Sequence, residues 1–388
     1  ASQDRRPLRA VGISLGYLTQ ALPGFAVAGY LRAAHPELKL ILGGGLITSW
    51  VGTGLVDPND SFGGLVDALV PGRGEDGLAD SPELLELADG PSPRAIGAVG
   101  AIGAVGAVGA VGAAGAPDFR DFRNLDYDAP TRIIPYNFSW ACPWKRCAFC
   151  PEKAEGSRYA AVPAPVALAE IESLAAKWEP GLIHFMDNEI APLYLRALAD
   201  RPPGTRWYGF ARFSEILADP AFCVRLAAAG CSLLQLGLES ADQAVLDGVG
   251  KGTKREVIDR ILENLAAAGI AAYVYVLFGT PSEDRDAALR TRDYLAAMSD
   301  RIAFLNLAIF NLPASSPEAA SLATRDFYDG DLSLYRDFVH PAGWNREEVR
   351  AFIAQEVVGD PAIRKITQRT PPVFTSNHAP FFLPTLST

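Results

Sequence analysis

The chain has 388 residues, with 35 Lys and Arg against 45 Asp and Glu, a net charge of −10. At roughly 100–200 residues per domain this length suits two or three domains, each burying its own core, and 49% apolar with 21% charged residues excludes a mainly disordered chain. The acidic balance argues against nucleic-acid or anionic-membrane partners, and five cysteines are too few, and odd in number, for a secreted disulfide scaffold.

No basic leader with an apolar core and cleavage site opens the sequence, so there is no secretory signal pattern. A strand pattern at Val11–Leu15 begins almost at once after Ala1, which reads as a chain cut within a domain. An amphipathic helix over Phe25–Ala34 follows, then a strand over Leu38–Leu42 that ends in Gly43-Gly44-Gly45. Strand, helix and strand make a βαβ unit of a doubly wound sheet. Glycines at the carboxyl end of such a strand let a ligand approach the backbone, or simply form a turn.

Residues Ala95–Ala116 repeat Ala-Ile/Val-Gly, with Gly at every third position from Gly97 to Gly115. Collagen needs prolines inside the run, and none are there. The run reaches the roughly 20 residues of a membrane span, but a repeated Gly costs a helix about 1 kcal/mol each. The run reads as an interdomain linker. Beyond it, strands are expected at Ile133–Trp140, Leu182–Met186, Trp207–Phe213, Leu233–Leu238, Ala272–Phe278 and Ile302–Phe310, with helices between. One helix is expected over Thr253–Ala268: Thr253 and Glu256 form a capping box, Gly269 follows the end, and Val257, Ile258, Ile261, Leu262 and Leu265 share a face. This alternation predicts a parallel sheet curled into a partial (β/α) barrel with ligands at the carboxyl ends of its strands. After Leu312 it gives way to a Pro- and aromatic-rich tail containing His340, Trp344 and His378.

Directly after the first barrel strand stands Cys142-Pro-Trp-Lys-Arg-Cys147-Ala-Phe-Cys150. Three thiolates on one loop can converge on a soft metal centre. A structural zinc or an ordinary four-iron cluster takes four ligands, so three leave one iron open to a small molecule. A zinc site completed by a distant His or Asp is the alternative. Cys223 and Cys231 lie among apolar helical residues and read as core thiols.

With these residues in view, the chain resembles the radical S-adenosylmethionine (radical SAM) enzymes, whose three cysteines follow the first barrel strand with an aromatic residue before the last, as Phe149 does here. Four residues between Cys142 and Cys147, and two between Cys147 and Cys150, resemble the cobalamin-associated subgroup. Met186-Asp187-Asn188-Glu189 stands where the family carries its glycine-glycine-glutamate motif, although the glycines are absent. Arg212 resembles the third-strand arginine near the methionyl carboxylate. Leu236-Gly237-Leu238-Glu239-Ser240 with Lys251-Gly252-Thr253 resembles the fourth-strand segment beside the ribose. Phe278-Gly279-Thr280-Pro281-Ser282-Glu283 resembles the turn that packs against adenine. The resemblance spans Arg132–Pro317.

It implies a partial (β/α)6 TIM-like radical SAM barrel over 118–317, preceded by a partial Rossmann-like cobalamin-binding-type domain over 1–90, a linker over 91–117 and a substrate-capping region over 318–388. Cys142, Cys147 and Cys150 would hold a [4Fe-4S] cluster. Phe149, Asp187, Glu189, Arg212, Glu239, Ser240, Gly279 and Pro281 would contact S-adenosylmethionine. Ser14, Gly43 and Gly44 match the serine strand and glycine pair of a cobalamin domain, and Asp67–Glu75 resembles its exit segment; the usual aspartate-x-histidine loop would precede residue 1. The implied protein is a cytoplasmic, oxygen-sensitive enzyme that modifies, or methylates, a natural product or peptide, with a flavodoxin or ferredoxin as reductant and no nucleic acid or membrane partner. A cobalamin-independent radical enzyme with a degenerate Rossmann piece, and a non-catalytic metal-binding or electron-transfer protein, are the alternatives.

Overall fold

The computed structural model describes residues 8–72, 117, 119–120, 129–154, 158–327 and 333–370. The run Ala95–Ala116, the exit residues Arg73–Glu75 and the tail from 371 on, His378 included, lie outside the described residues. Two compact units emerge: Ala1–Gly115 with Asp326–Arg336, and Ala116–Arg325 with Asp337–Thr388.

In the first unit, β1 (Ala10–Ser14), β2 (Lys39–Gly43) and β3 (Ala68–Val70) form a parallel sheet in that order. Leu40, Ile41 and Leu42 are all buried, as a parallel strand covered on both faces requires. Helix α1 (Ala21–Ala34) is longer than expected and less amphipathic. It buries only Gly24 and Ala28, while Leu22 and Tyr30 stay exposed. The contact is close because Gly24 has no side chain: a Cβ there would lie 2.4 Å from Leu15 Cδ2. Helix α2 (Gly45–Gly52) starts at the carboxyl end of β2 and buries Leu46, Ile47 and Trp50.

In the second unit, β4 (Ile133–Tyr136) is followed by a short hairpin, β5 (Ser139–Trp140) against β6 (Ala160–Ala161). The single strand expected over Ile133–Trp140 is therefore two strands, and the second leaves the sheet to frame the cysteine loop, which includes α3 (Pro151–Ala154). Strands β7 (Leu182–Phe185), β8 (Trp207–Ala211), β9 (Cys231–Glu239), β10 (Ala271–Phe278) and β11 (Phe304–Ile309) follow β4 in spatial order, each parallel to its neighbour. Between them run α4 (Ala164–Trp178), α5 (Pro192–Asp200), α6 (Pro220–Ala228), α7 (Gln243–Gly248), α8 (Arg255–Ala268) and α9 (Arg285–Ala297). The strands thus stand in sequence order, as in the expected partial (β/α)6 barrel, with the Rossmann-like unit before it in the chain.

Helix α8 buries Val257, Ile258, Ile261, Leu262 and Leu265 and ends at Gly269 in the left-handed conformation, both as the periodicity implied. Its start differs. The helix begins at Arg255, no capping box forms, and Gln243 of α7 caps it by accepting from the Arg255 N–H at 2.9 Å. A tertiary partner meets the need that the local box would have met, and Thr253 is buried instead.

Candidate functional site

The cysteine loop owes its shape to two left-handed residues, Ala141 (φ 60°) and Lys145 (φ 50°), that curl it outside β5. It docks on the segment after α7: Trp144 Nε1 donates to Gly250 O at 2.9 Å and the Ala148 N–H to Val249 O at 2.9 Å. Glycines permit this approach. A Cβ on Gly252 would sit 2.1 Å from the Trp144 ring, and that residue has φ +70°.

Cys147 is buried, and Cys142 and Cys150 are half-buried. Burial pushes the Cys142 and Cys150 thiols up, and Glu189 pushes Cys142 further. Among the described residues no three His, Cys, Asp or Glu side chains are placed to grip a single ion. Zinc draws its sulfurs to about 2.3 Å from one centre. Three cysteine thiols on one loop are the soft donor set that an iron–sulfur cluster takes.

Beside the thiols stand the charges. Glu189, from the loop after β7, is 6% exposed and accepts from Cys142 Sγ at 3.4 Å. Burial raises its carboxyl above the usual range, against the pull of Arg212, whose Nε is 3.8 Å away. Arg212 follows β8, reaches toward Cys147 Sγ at 3.9 Å, stacks on Trp144 at 4.4 Å and donates to Lys251 O. The methionyl ammonium and carboxylate expected of a ligand here would find an acid and a guanidinium in one place. Glu239 has φ 63° where β9 bulges against β10, and it pairs with buried Lys251 at 2.7 Å. Lys251 Nζ in turn lies 5.6 Å from the centre of the Phe149 ring.

Asp187 and Ser240, two more residues of the expected set, bond to protein groups. Asp187 is buried, and its two oxygens accept from Phe138 N at 3.0 Å and from Ser139 N and Oγ, both at 2.7 Å. It braces the backbone that leads into the cysteines. Ser240 is fully buried, with its hydroxyl 3.0 Å from Thr291 Oγ1 of α9. Gly279 (φ +82°) and Pro281 form the turn after β10, and Phe149, Pro281, Ala148, Val249 and Phe310 help to wall a cavity of about 230 Å³. That turn is tied down from the tail. Glu283 accepts from Trp344 Nε1 at 3.2 Å, and His340 Nε2 lies 2.9 Å from Thr280 O. Because His340 Nδ1 accepts from Ala342 N, Nε2 carries the proton and donates. Trp144 is missed by motif reading because its role depends on residues over 100 positions away.

In the first unit, Ser14, Gly43 and Gly44 meet at the carboxyl ends of β1 and β2. Gly44 has φ +95°, and a Cβ there would lie 2.5 Å from Leu15 O and 2.8 Å from Ser14 Oγ. Glycine is needed, and it opens α2 directly at the strand end. The glycines let β1, β2 and the start of α2 pack backbone against backbone.

No family model matches the chain, and no curated protein matches it. Solved structures do. The cobalamin- and [4Fe-4S]-bound radical S-adenosylmethionine methyltransferase TsrM from Kitasatospora setae aligns with a TM-score of 0.58 at 19% identity, over 89% of this chain and 74% of its own. The cobalamin-dependent S-adenosylmethionine radical enzyme OxsB, with aqua-cobalamin and S-adenosylmethionine bound, aligns with a TM-score of 0.58 at 14% identity, over 89% of this chain and 57% of its own. The chain therefore has the fold of the cobalamin-dependent radical SAM enzymes. Among the described residues no helix is long and apolar enough to cross a membrane.

Proposed function

We propose that this protein is a radical SAM enzyme that modifies an unactivated carbon of a small natural product or peptide, with methylation as its leading reaction. The observation that carries the reading is the loop of Cys142, Cys147 and Cys150 at the carboxyl ends of a parallel barrel, with the Glu189–Arg212 pair against two of the thiols. These thiols would hold three corners of a [4Fe-4S] cluster. When reduced, such a cluster supplies the electron that cleaves the sulfonium C–S bond of S-adenosylmethionine. Glu189 would take the methionyl ammonium, Arg212 the carboxylate, and the Gly279–Pro281 turn the base; the Lys251–Glu239 pair holds the floor between them.

Ser14, Gly43 and Gly44 would cradle cobalamin, which supplies a methyl carrier when bound. TsrM is described with a tryptophan substrate, and a small substrate of comparable size is part of this proposal. So are a cytoplasmic location, a flavodoxin- or ferredoxin-type reductant, and a capping role for residues 318–388. Anaerobic reconstitution tests the reading: about four irons per chain, a reduced-cluster EPR signal altered by S-adenosylmethionine, and release of 5′-deoxyadenosine are expected. One tightly bound zinc and no such product would sink it. A bound visible spectrum on adding cobalamin separates the cobalamin-dependent form from a cobalamin-independent one.

A further inference from the structure

The cavity of about 230 Å³ beside the cysteine loop has apolar walls from Phe149, Val249, Pro281 and Phe310, and Glu318 is the one charged side chain among its lining residues. Glu318 lies outside the barrel strands, on the short helix α10 (Pro317–Ser321). Two features fix it there. Ser316 caps the helix by accepting from Ala319 N at 3.3 Å, and Pro317 starts the first turn. One carboxylate oxygen, Oε1, sits 3.5 Å from Lys153 Nζ, on the helix that follows Cys150. The other, Oε2, is buried with no hydrogen-bond partner.

A buried acceptor without a donor is costly, and such atoms in native proteins call for an explanation. Here the orphan oxygen belongs to a residue lining a mostly apolar cavity, whose other polar side chains are the hydroxyls of Thr280 and Ser282. That combination suits a flat, apolar-faced ring whose edge carries an N–H donor. We propose that Glu318 is a specificity-determining residue that selects a 6-aminopurine in this cavity, by accepting a hydrogen bond from the exocyclic amine. The inference rests on the radical SAM reading, in which an adenosyl group occupies this side of the site, and adds the residue that tells adenine from its deaminated counterpart. A 6-oxopurine would turn a carbonyl oxygen toward the carboxylate, so two acceptors would face one another.

The test is equilibrium binding, with no turnover, to the full chain carrying its reconstituted cluster. The probes are S-adenosylmethionine and S-inosylmethionine. The wild type should prefer the adenosyl form by about tenfold or more, as sites built around one hydrogen bond do. Glu318→Gln, whose amide can accept or donate, should bring the preference close to one. Lys153→Ala removes the ion pair but leaves Oε2 in place, and should keep the wild-type preference. An unchanged preference in Glu318→Gln, or an equal collapse in Lys153→Ala, would overturn the inference while leaving the parent reading intact. No binding of S-adenosylmethionine by wild-type chain holding four irons would overturn the parent reading and the inference with it.

Discussion

The two candidate sites of this molecule are built by opposite means. In the first unit the candidate site at Ser14, Gly43 and Gly44 is made by leaving side chains out, so that backbone packs on backbone: a Cβ on Gly44 would collide with Leu15. In the barrel the site is made by bringing side chains in, with Glu189 against Cys142, Arg212 against Cys147 and the Lys251–Glu239 pair beside Phe149. A backbone cradle recognises shape and hydrogen-bonding edges and tolerates many ligands. A buried cluster of acids, bases and thiols holds charge and redox chemistry, because low dielectric magnifies each interaction. Under the proposed function, the reactive step belongs to the barrel and carrier binding to the first unit.

The contrast can be broken most sharply at the thiols. Cys147→Ala should lower bound iron and abolish 5′-deoxyadenosine release, a loss of at least about 100-fold, whereas Cys223→Ala, a buried thiol that donates to Leu217 O, should leave product formation intact. Iron analysis with product chromatography reads both. Equal loss in the two variants would remove the distinction between ligand and core cysteine.

Next in size, Arg212→Ala should weaken S-adenosylmethionine binding by roughly 10–100-fold, since it removes a partly buried partner of Glu189 and of the incoming carboxylate. Calorimetry on reconstituted protein measures this. Cobalamin affinity should not move, and a matching fall there would join the two sites that the comparison separates.

The converse substitution is Gly44→Ala, which combines positive φ with a 2.5 Å clash. It should destabilise the first unit by about 1–3 kcal/mol and weaken cobalamin binding, while iron content stays at the wild-type level. Cobalamin retention by the variant at wild-type affinity would argue that the candidate site is only a turn.

The last expected effect is one of pH. Burial raises Glu283 to about 7 from the usual 4.5, against hydrogen bonds from Gly279 N and Trp344 Nε1. A carboxyl with a raised folded-state pKa binds its proton more tightly in the folded chain. Its protonated form therefore favours folding, and stability falls as pH rises between about 4.5 and 7. The loss is on the order of 3 kcal/mol. Glu283→Gln should flatten this part of a thermal unfolding profile. A slope identical to wild type would show that Glu283 is not the group responsible.

Much of the fold was legible in the chain. Most sheet strands fell where apolar runs placed them, although Ile133–Trp140 split into β4 and β5, and the buried face of α8 matched its periodicity residue by residue. The cysteine loop was legible because its three ligand candidates lie within nine positions. What was not legible was set by distant partners. Asp187 and Ser240 both stood among the expected S-adenosylmethionine contacts, yet Ser240 bonds Thr291 of α9 and Asp187 braces Ser139. The capping box at Thr253 gave way to Gln243, and the expected amphipathic α1 packs through Gly24 and Ala28.

Local pattern therefore determined the element order, the barrel-type alternation and the three thiols on one loop, because propensity, periodicity and short spacing are properties of neighbours in the chain. The tertiary structure alone decided which acid meets which base: Glu189 with Arg212, Glu239 with Lys251, and Glu318 at the apolar cavity. Those choices depend on strand register and loop docking, which place residues tens of positions apart within hydrogen-bonding reach, and short-range pattern carries no record of that distance.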